Sequence, residues 1–222
     1  MTARHWDCDL SLRYNYQPSE LLDNFEIEDG TLSPVYQSSN NHSVEFTTRY
    51  GFKLGEHSTG QVYSRFFSYF NSPEDSFFLD YIGGYTGMRS YPYFALSGNT
   101  TGFSQFSYIF PVFTEIQEQV GHHTFDKLFL RLFGEVGNGW NGPDGTGANL
   151  KTGIGAELRF SFNTYYLYPL KFFISGAYGF NQFQVQLPDE FITGNSSNRV
   201  SYGREPLIHF GLTFDFEILN ND

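Results

Sequence analysis

The feature that most constrains this chain is a two-residue hydrophobic alternation that returns in segment after segment. Between His5 and Tyr16, Trp6, Cys8, Leu10, Leu12, Tyr14 and Tyr16 take the even positions. His5, Asp7, Asp9, Ser11, Arg13 and Asn15 take the odd ones. Successive side chains of a strand point to opposite faces, so the segment is a strand with one apolar and one polar face. Val44 to Leu54 repeats the pattern, with Phe46, Tyr50, Phe52 and Leu54 against Glu45, Arg49 and Lys53. Further on, Ile154, Leu158, Phe160 and Phe162 oppose Lys151, Glu157 and Arg159, and Ile208, Phe210, Leu212 and Phe214 oppose His209, Thr213 and Asp215. The pattern predicts eight strands near residues 5–16, 44–54, 61–70, 103–113, 125–137, 150–163, 170–181 and 207–217. The third is aromatic on both faces and is the least regular.

Composition narrows the class. One residue in five is aromatic, with 26 Phe and 16 Tyr, which favours strands over helices. A net charge of −11 makes nucleic acid a poor partner, because phosphate contacts need clustered Lys and Arg. The single cysteine, Cys8, excludes an internal disulfide and packs as a small hydrophobe. No apolar run reaches the roughly 18 residues of a spanning helix. The opening MTARHWDCDL has no apolar stretch of the kind a secretory signal carries, so the chain reads as processed or as a piece of something longer.

Alternation alone does not separate a soluble barrel, apolar side in, from a membrane barrel, apolar side out. The connections do more. Residues 17–43 read as a long loop, GEHSTG as a short turn, and 71–102 as a long loop. A medium link around His122 and His123 follows, then the loop NGWNGPDGTGAN, a short turn at Tyr168 and Pro169, and a long loop over 182–205. Long and short links in alternation on an even strand count are the habit of outer-membrane barrels. Each strand has about the 9–11 residues a tilted crossing needs. Tyr14, Tyr16, Trp140, Tyr165, Tyr166 and Tyr168 stand near strand ends, where an interfacial girdle would lie. The expectation is one domain over 1–222, an all-β transmembrane antiparallel barrel of the bacterial outer membrane. Its lumen would carry the mixed charges of Arg13, Glu45, Arg49, Lys53, Arg65, Arg131, Glu157, Arg159 and Asp215.

Three blocks carry a family likeness, in order: IGGYTGMRSYP at 82–92, FSYIFPVF at 106–113 and LFGEVGNGW at 132–140. Together they resemble the bacterial surface antigen family, which holds outer-membrane assembly and translocation barrels of the BamA and TamA type. The likeness covers about Val44 to Glu217. Ser90 stands where the family has Gly, and Glu135 where an Asp is usual. The resemblance implies that these eight strands are the C-terminal half of a sixteen-stranded barrel, with loop 71–102 folded into the lumen. It implies a loop motif of Gly83, Gly84, Gly87 and Tyr91, and a strand motif of Gly137, Asn138 and Trp140. Arg89 at the loop tip would pair with a wall carboxylate, Glu135 first and Glu157 second. It implies insertion or export of other outer-membrane proteins, or anchoring of a larger complex. The partners would be outer-membrane lipid and either other chains or the missing half of the barrel.

Other chemistry finds little support. His122, His123 and Asp126 match no metal-ligand spacing, and DGTG at Asp144 reads as a turn. His209 lies on the polar side of its strand with no evident serine neighbour, so no catalytic residues, cofactor or metal are expected. Two other readings stay open: a small structural or adhesive eight-stranded outer-membrane barrel, and a soluble β-barrel binding lipid or sugar.

Overall fold

In the computed structural model the described residues are 5–28, 31–71, 79–114, 116, 118–141, 149–164, 168–186 and 199–214. They form thirteen strands and no helix: β1 (His5–Glu28), β2 (Thr31–Lys53), β3 (Thr59–Tyr69), β4 (Asp80–Tyr81), β5 (Ser97–Gly98), β6 (Thr100–Phe113), β7 (Glu118–Val120), β8 (His123–Trp140), β9 (Lys151–Thr164), β10 (Tyr168–Gly179), β11 (Phe183–Gln186), β12 (Arg199–Tyr202) and β13 (Pro206–Phe214). Eight of them make one antiparallel sheet in the order β1-β2-β3-β6-β8-β9-β10-β13, with β7 paired to the start of β8. These eight correspond to the eight alternating segments. The order has two ends: β1 and β13 do not pair, so the described sheet is open rather than a closed barrel.

Two predicted loops are corrected. Residues 17–28 and 31–43 continue β1 and β2 as a ribbon, paired from His5↔Gly51 out to Glu28↔Thr31. Their prolines and polar residues read as a loop, yet Pro18 falls in the register shift between Gln17 and Glu20, and Pro34 sits beside a second shift at Phe25. Irregularities of this kind are where a sheet tolerates proline. β3 stops pairing with β2 at Ser43↔Tyr69, so beyond that point the ribbon has only its own two strands in the ladder. The second correction is within 182–205, where β11 and β12 form a four-residue hairpin. The link at His122 and His123 is a tight turn on Gly121, at φ 64°, after which His123 opens β8. Residues 215–217 of the last predicted strand lie outside the described residues, as do Tyr165, Tyr166 and Asp144.

Strand register sorts the side chains into two faces. One row across five strands reads Ile109, Arg131, Glu157, Ser175, His209, and a second, two rows along the same face, reads Arg49, Tyr63, Gln105, Glu135, Gly153, Gly179. This polar face holds the buried residues. Glu157 is 1% exposed, Glu135 4% and Ser175 0%. The opposite face carries Leu12, Phe46, Phe66, Phe106, Leu132, Ile154, Ile174, Ile208, Phe210 and Leu212, all exposed, up to 75% at Phe210. Ordinary burial is inverted: hydrophobic area is left open while ionised groups are covered.

The apolar core is correspondingly misplaced for a soluble domain. Its cluster is Ile82, Met88, Tyr91, Ala95, Leu96 and Phe103, five residues from the segment before β6 and one from β6 itself. What covers the polar face is the chain's own loop.

Candidate functional site

The loop is shaped by short-range geometry before it touches the sheet. β4 pairs with β5 through Asp80↔Gly98 and Tyr81↔Ser97, closing its base. Above the base, the amide of Met88 donates to the carbonyl of Ile82 at 2.5 Å and the amide of Gly87 to Gly84 at 3.1 Å. Gly84 has φ 83°, a left-handed conformation that costs a residue with a Cβ but not glycine. A Cβ on Gly83 would lie 2.0 Å from the Pro92 carbonyl oxygen, and one on Gly87 would lie 2.0 Å from that of Ile82. The glycine spacing IGGYTG is therefore a packing requirement of one compact turn. The residue after Arg89 needs no glycine, because Ser90 is not among the positive-φ residues.

That turn presents Arg89 and Ser90 to two carboxylates of the sheet. The guanidinium of Arg89 donates from Nη1 to Oε2 of Glu157 at 2.5 Å. Glu135, expected as the first partner, takes a different role and accepts from backbone and neutral groups. These are the amides of Arg89 at 3.2 Å and Ser90 at 3.1 Å, the Ser90 hydroxyl at 2.9 Å and the Gln105 amide at 2.6 Å. The division follows from register, which sets Glu135 and Glu157 in different rows. Glu157 also accepts from Arg159 at 2.7 Å and from the Tyr85 hydroxyl at 3.3 Å. A carboxylate this buried stays charged at tolerable cost only with such donors, and removing one partner from a buried pair costs about 3–5 kcal/mol.

Aromatic rings complete the socket. The Arg89 guanidinium carbon lies 4.2 Å from the Tyr85 ring centre and 5.2 Å from that of Phe133. Tyr85 in turn stacks on Phe173 at 4.5 Å and 15°. Tyr91 donates to the carbonyl of Thr152 at 3.0 Å and accepts from the Asn181 amide at 3.1 Å. Burial, chiefly, pushes the phenols of both Tyr85 and Tyr91 above their ordinary value, with the charge of Glu157 adding to the effect on Tyr85.

The floor beneath the tip is glycine. A Cβ on Gly153 would come 2.1 Å from the Ser90 hydroxyl, one on Gly179 2.7 Å from the Tyr91 ring, and one on Gly137 2.9 Å from the Met88 sulfur. In the strand motif, Gly137 is thus floor. Trp140 projects from the other face, where its ring and that of Phe66 would each lie 3.7 Å from a Cβ added at Gly102. Asn138 pairs with Gly102 in the ladder and is itself buried.

The loop also ties distant strands together. At its base Asp80 accepts a bidentate pair from Arg65 of β3 at 2.8 and 2.9 Å and a further bond from Thr101. Arg65 continues to Glu45 of β2 at 2.7 Å, and Glu45 to Arg13 of β1 at 2.9 Å. At the tip, the Arg89 carbonyl lies 3.0 Å from Nε2 of His209 on β13. Sequence reasoning missed Asp80, Tyr85, Gln105, Ser175 and His209 as parts of this site. Alternation placed His209 on the polar face, but the company it keeps depends on register between strands. The reading that His209 has no serine neighbour is likewise corrected, since Ser175 lies directly across from it on β10.

Among the described residues no group of three or more His, Cys, Asp or Glu is placed to hold a metal, and His122 and His123 are exposed. No helix among them is long and apolar enough to cross a membrane, which says nothing of crossing by strands. Compared with known proteins, the chain matches no family model, no curated protein and no solved structure.

Proposed function

We propose that this chain forms part of the wall of a transmembrane β-barrel in the bacterial outer membrane, with the Arg89 loop seated in the lumen. In line with the resemblance to surface antigen barrels, it acts in inserting or exporting other outer-membrane proteins, or anchors a larger complex there. The reading needs no chemistry from the chain, and Ser175, the serine beside His209, is buried.

One observation carries the reading, the inverted sheet. A water-exposed apolar band across eight strands, with Leu12 at 73%, Ile208 at 71% and Phe210 at 75% exposure, far exceeds what soluble monomers present. Hydrocarbon solvates such a band without penalty, while the charged rows face a polar interior. The open edges support a barrel larger than these strands alone. β1 and β13 are antiparallel, so an even number of further strands would join them. Closure by the eight alone would give a lumen just filled by side chains, whereas this polar face already houses a folded loop. The remaining wall comes from elsewhere in a longer chain or from other chains.

Cysteine labelling in lipid vesicles tests the orientation. With exposed Cys8 changed to Ser, cysteines at Leu132 or Ile154 should react with a lipid-soluble maleimide and resist a charged one. Cysteine at Arg49 should do the opposite. Equal reaction of all three with the charged reagent would overturn the membrane reading. For the assembly role, cells lacking the protein should accumulate other barrels unfolded; normal assembly would leave the anchor.

A further inference from the structure

The surroundings of Glu157 are rich in donors and short of acceptors. Three guanidiniums, those of Arg89, Arg131 and Arg159, gather about Glu157, which is occupied by two of them. Arg131 lies directly across from Glu157 in the ladder but turns away, and its partners are all neutral: Ser107 and Gln105. Among the described residues the other carboxylate under the loop tip is Glu135, which is bound to loop amides, the Ser90 hydroxyl and Gln105. Among the described residues, three positive charges thus meet two negative ones around Glu157.

Two buried donors have no protein partner, Nε of Arg89 and the hydroxyl of Ser175. The ladder and the loop contacts bring their residues together. Ser175 stands between Glu157 and His209 in its row, and Arg89 bridges those same two residues, its guanidinium on one and its carbonyl on the other. Buried polar groups are paired with protein, water or an ion. A water would satisfy the two donors and leave the excess charge, whereas an anion satisfies both.

We propose that a small monovalent anion, with chloride as the probe, binds under the loop tip between Arg89 Nε and the Ser175 hydroxyl, held there by the excess charge that Arg131 supplies, and locks the loop onto the sheet. The site lies wholly on the polar face and is independent of what covers the apolar one.

The test is tryptic cleavage after Arg89 in the detergent-folded chain, in sodium chloride and in sodium gluconate at equal ionic strength. Chloride at ten times its dissociation constant should slow the cleavage about tenfold by favouring the docked state. The effect should saturate, and bromide should replace chloride and give an anomalous scattering peak beside Ser175 in crystals. Ser175→Ala, which removes only a hydroxyl, should lose most of the chloride dependence. Arg131→Gln, which keeps a donor but not the charge, should lose it too. Equal cleavage in the two salts would overturn the proposal in favour of water. A chloride effect that survives both substitutions would overturn it in favour of binding elsewhere.

Discussion

The two faces of this sheet solve burial in opposite ways. On the polar face, glycines leave room, carboxylates meet guanidiniums and amides, and a loop brings its own Met88, Tyr91 and Leu96 to make the core. On the apolar face, Leu, Ile and Phe stand in rows with no protein over them. Hydrophobic burial is worth about 25 cal/mol per Å², so in water the second face would be the larger loss. The contrast teaches that specificity and solvation are divided here: the polar side fixes one structure, and the apolar side selects the surroundings.

The largest expected effect comes from removing the shared carboxylate. Glu157→Leu leaves Arg89 and Arg159 without their buried partner, at about 3–5 kcal/mol, so cleavage after Arg89 should rise about a hundredfold or more. An unchanged digest would mean that the loop is held by its apolar contacts alone. Next, a charge on the other face should be costly only if that face meets lipid. Phe210→Arg should then lose about 2–4 kcal/mol near the midplane and reduce the fraction of folded, heat-modifiable protein in vesicles. If the face meets water, the same change should raise solubility instead.

A subtler probe is the glycine floor. Gly153→Ala pushes a methyl into Ser90 and should weaken docking by about 1–3 kcal/mol. Ser90→Gly in the same chain removes the clash, and the double variant should recover part of the loss even though the Ser90 bond to Glu135 has gone. Additive losses would place the collision elsewhere.

The smallest effect concerns pH. Tyr85 and Tyr91 have phenol pKa values raised by burial, so the docked loop prefers them neutral. Their contribution is complete below the ordinary value of about 10 and is lost as pH rises through the higher docked value. Tyrosinate absorbance should show late-titrating phenols, with one fewer in Tyr85→Phe. Normal titration of both would break this part of the comparison.

How much of this was legible in the sequence follows from what the signals depend on. The eight strands and their two faces were readable because period two is local, and Arg89 stood out as a lone cation amid glycines. The ribbon over 17–43 was not readable: Pro18 and Pro34 are genuine loop signals, and only pairing shows that both fall at register shifts. Glu157 and Glu135 were both visible as acids on polar faces. Which one meets the guanidinium depends on a register that neither strand carries alone. Nothing near Asp80 announced that Arg65 would grip it, since the two are brought together by the return of a loop rather than by spacing.

The double attachment of that loop has a mechanical consequence. It is tied to β3 through Asp80 and to β13 through the Arg89 carbonyl, five interstrand steps apart, or about 24 Å along a flat sheet. A tether between such points behaves like the string of a bow. It limits how far β3 and β13 can move apart, so strands that never touch are held at a set span by a segment that belongs to neither.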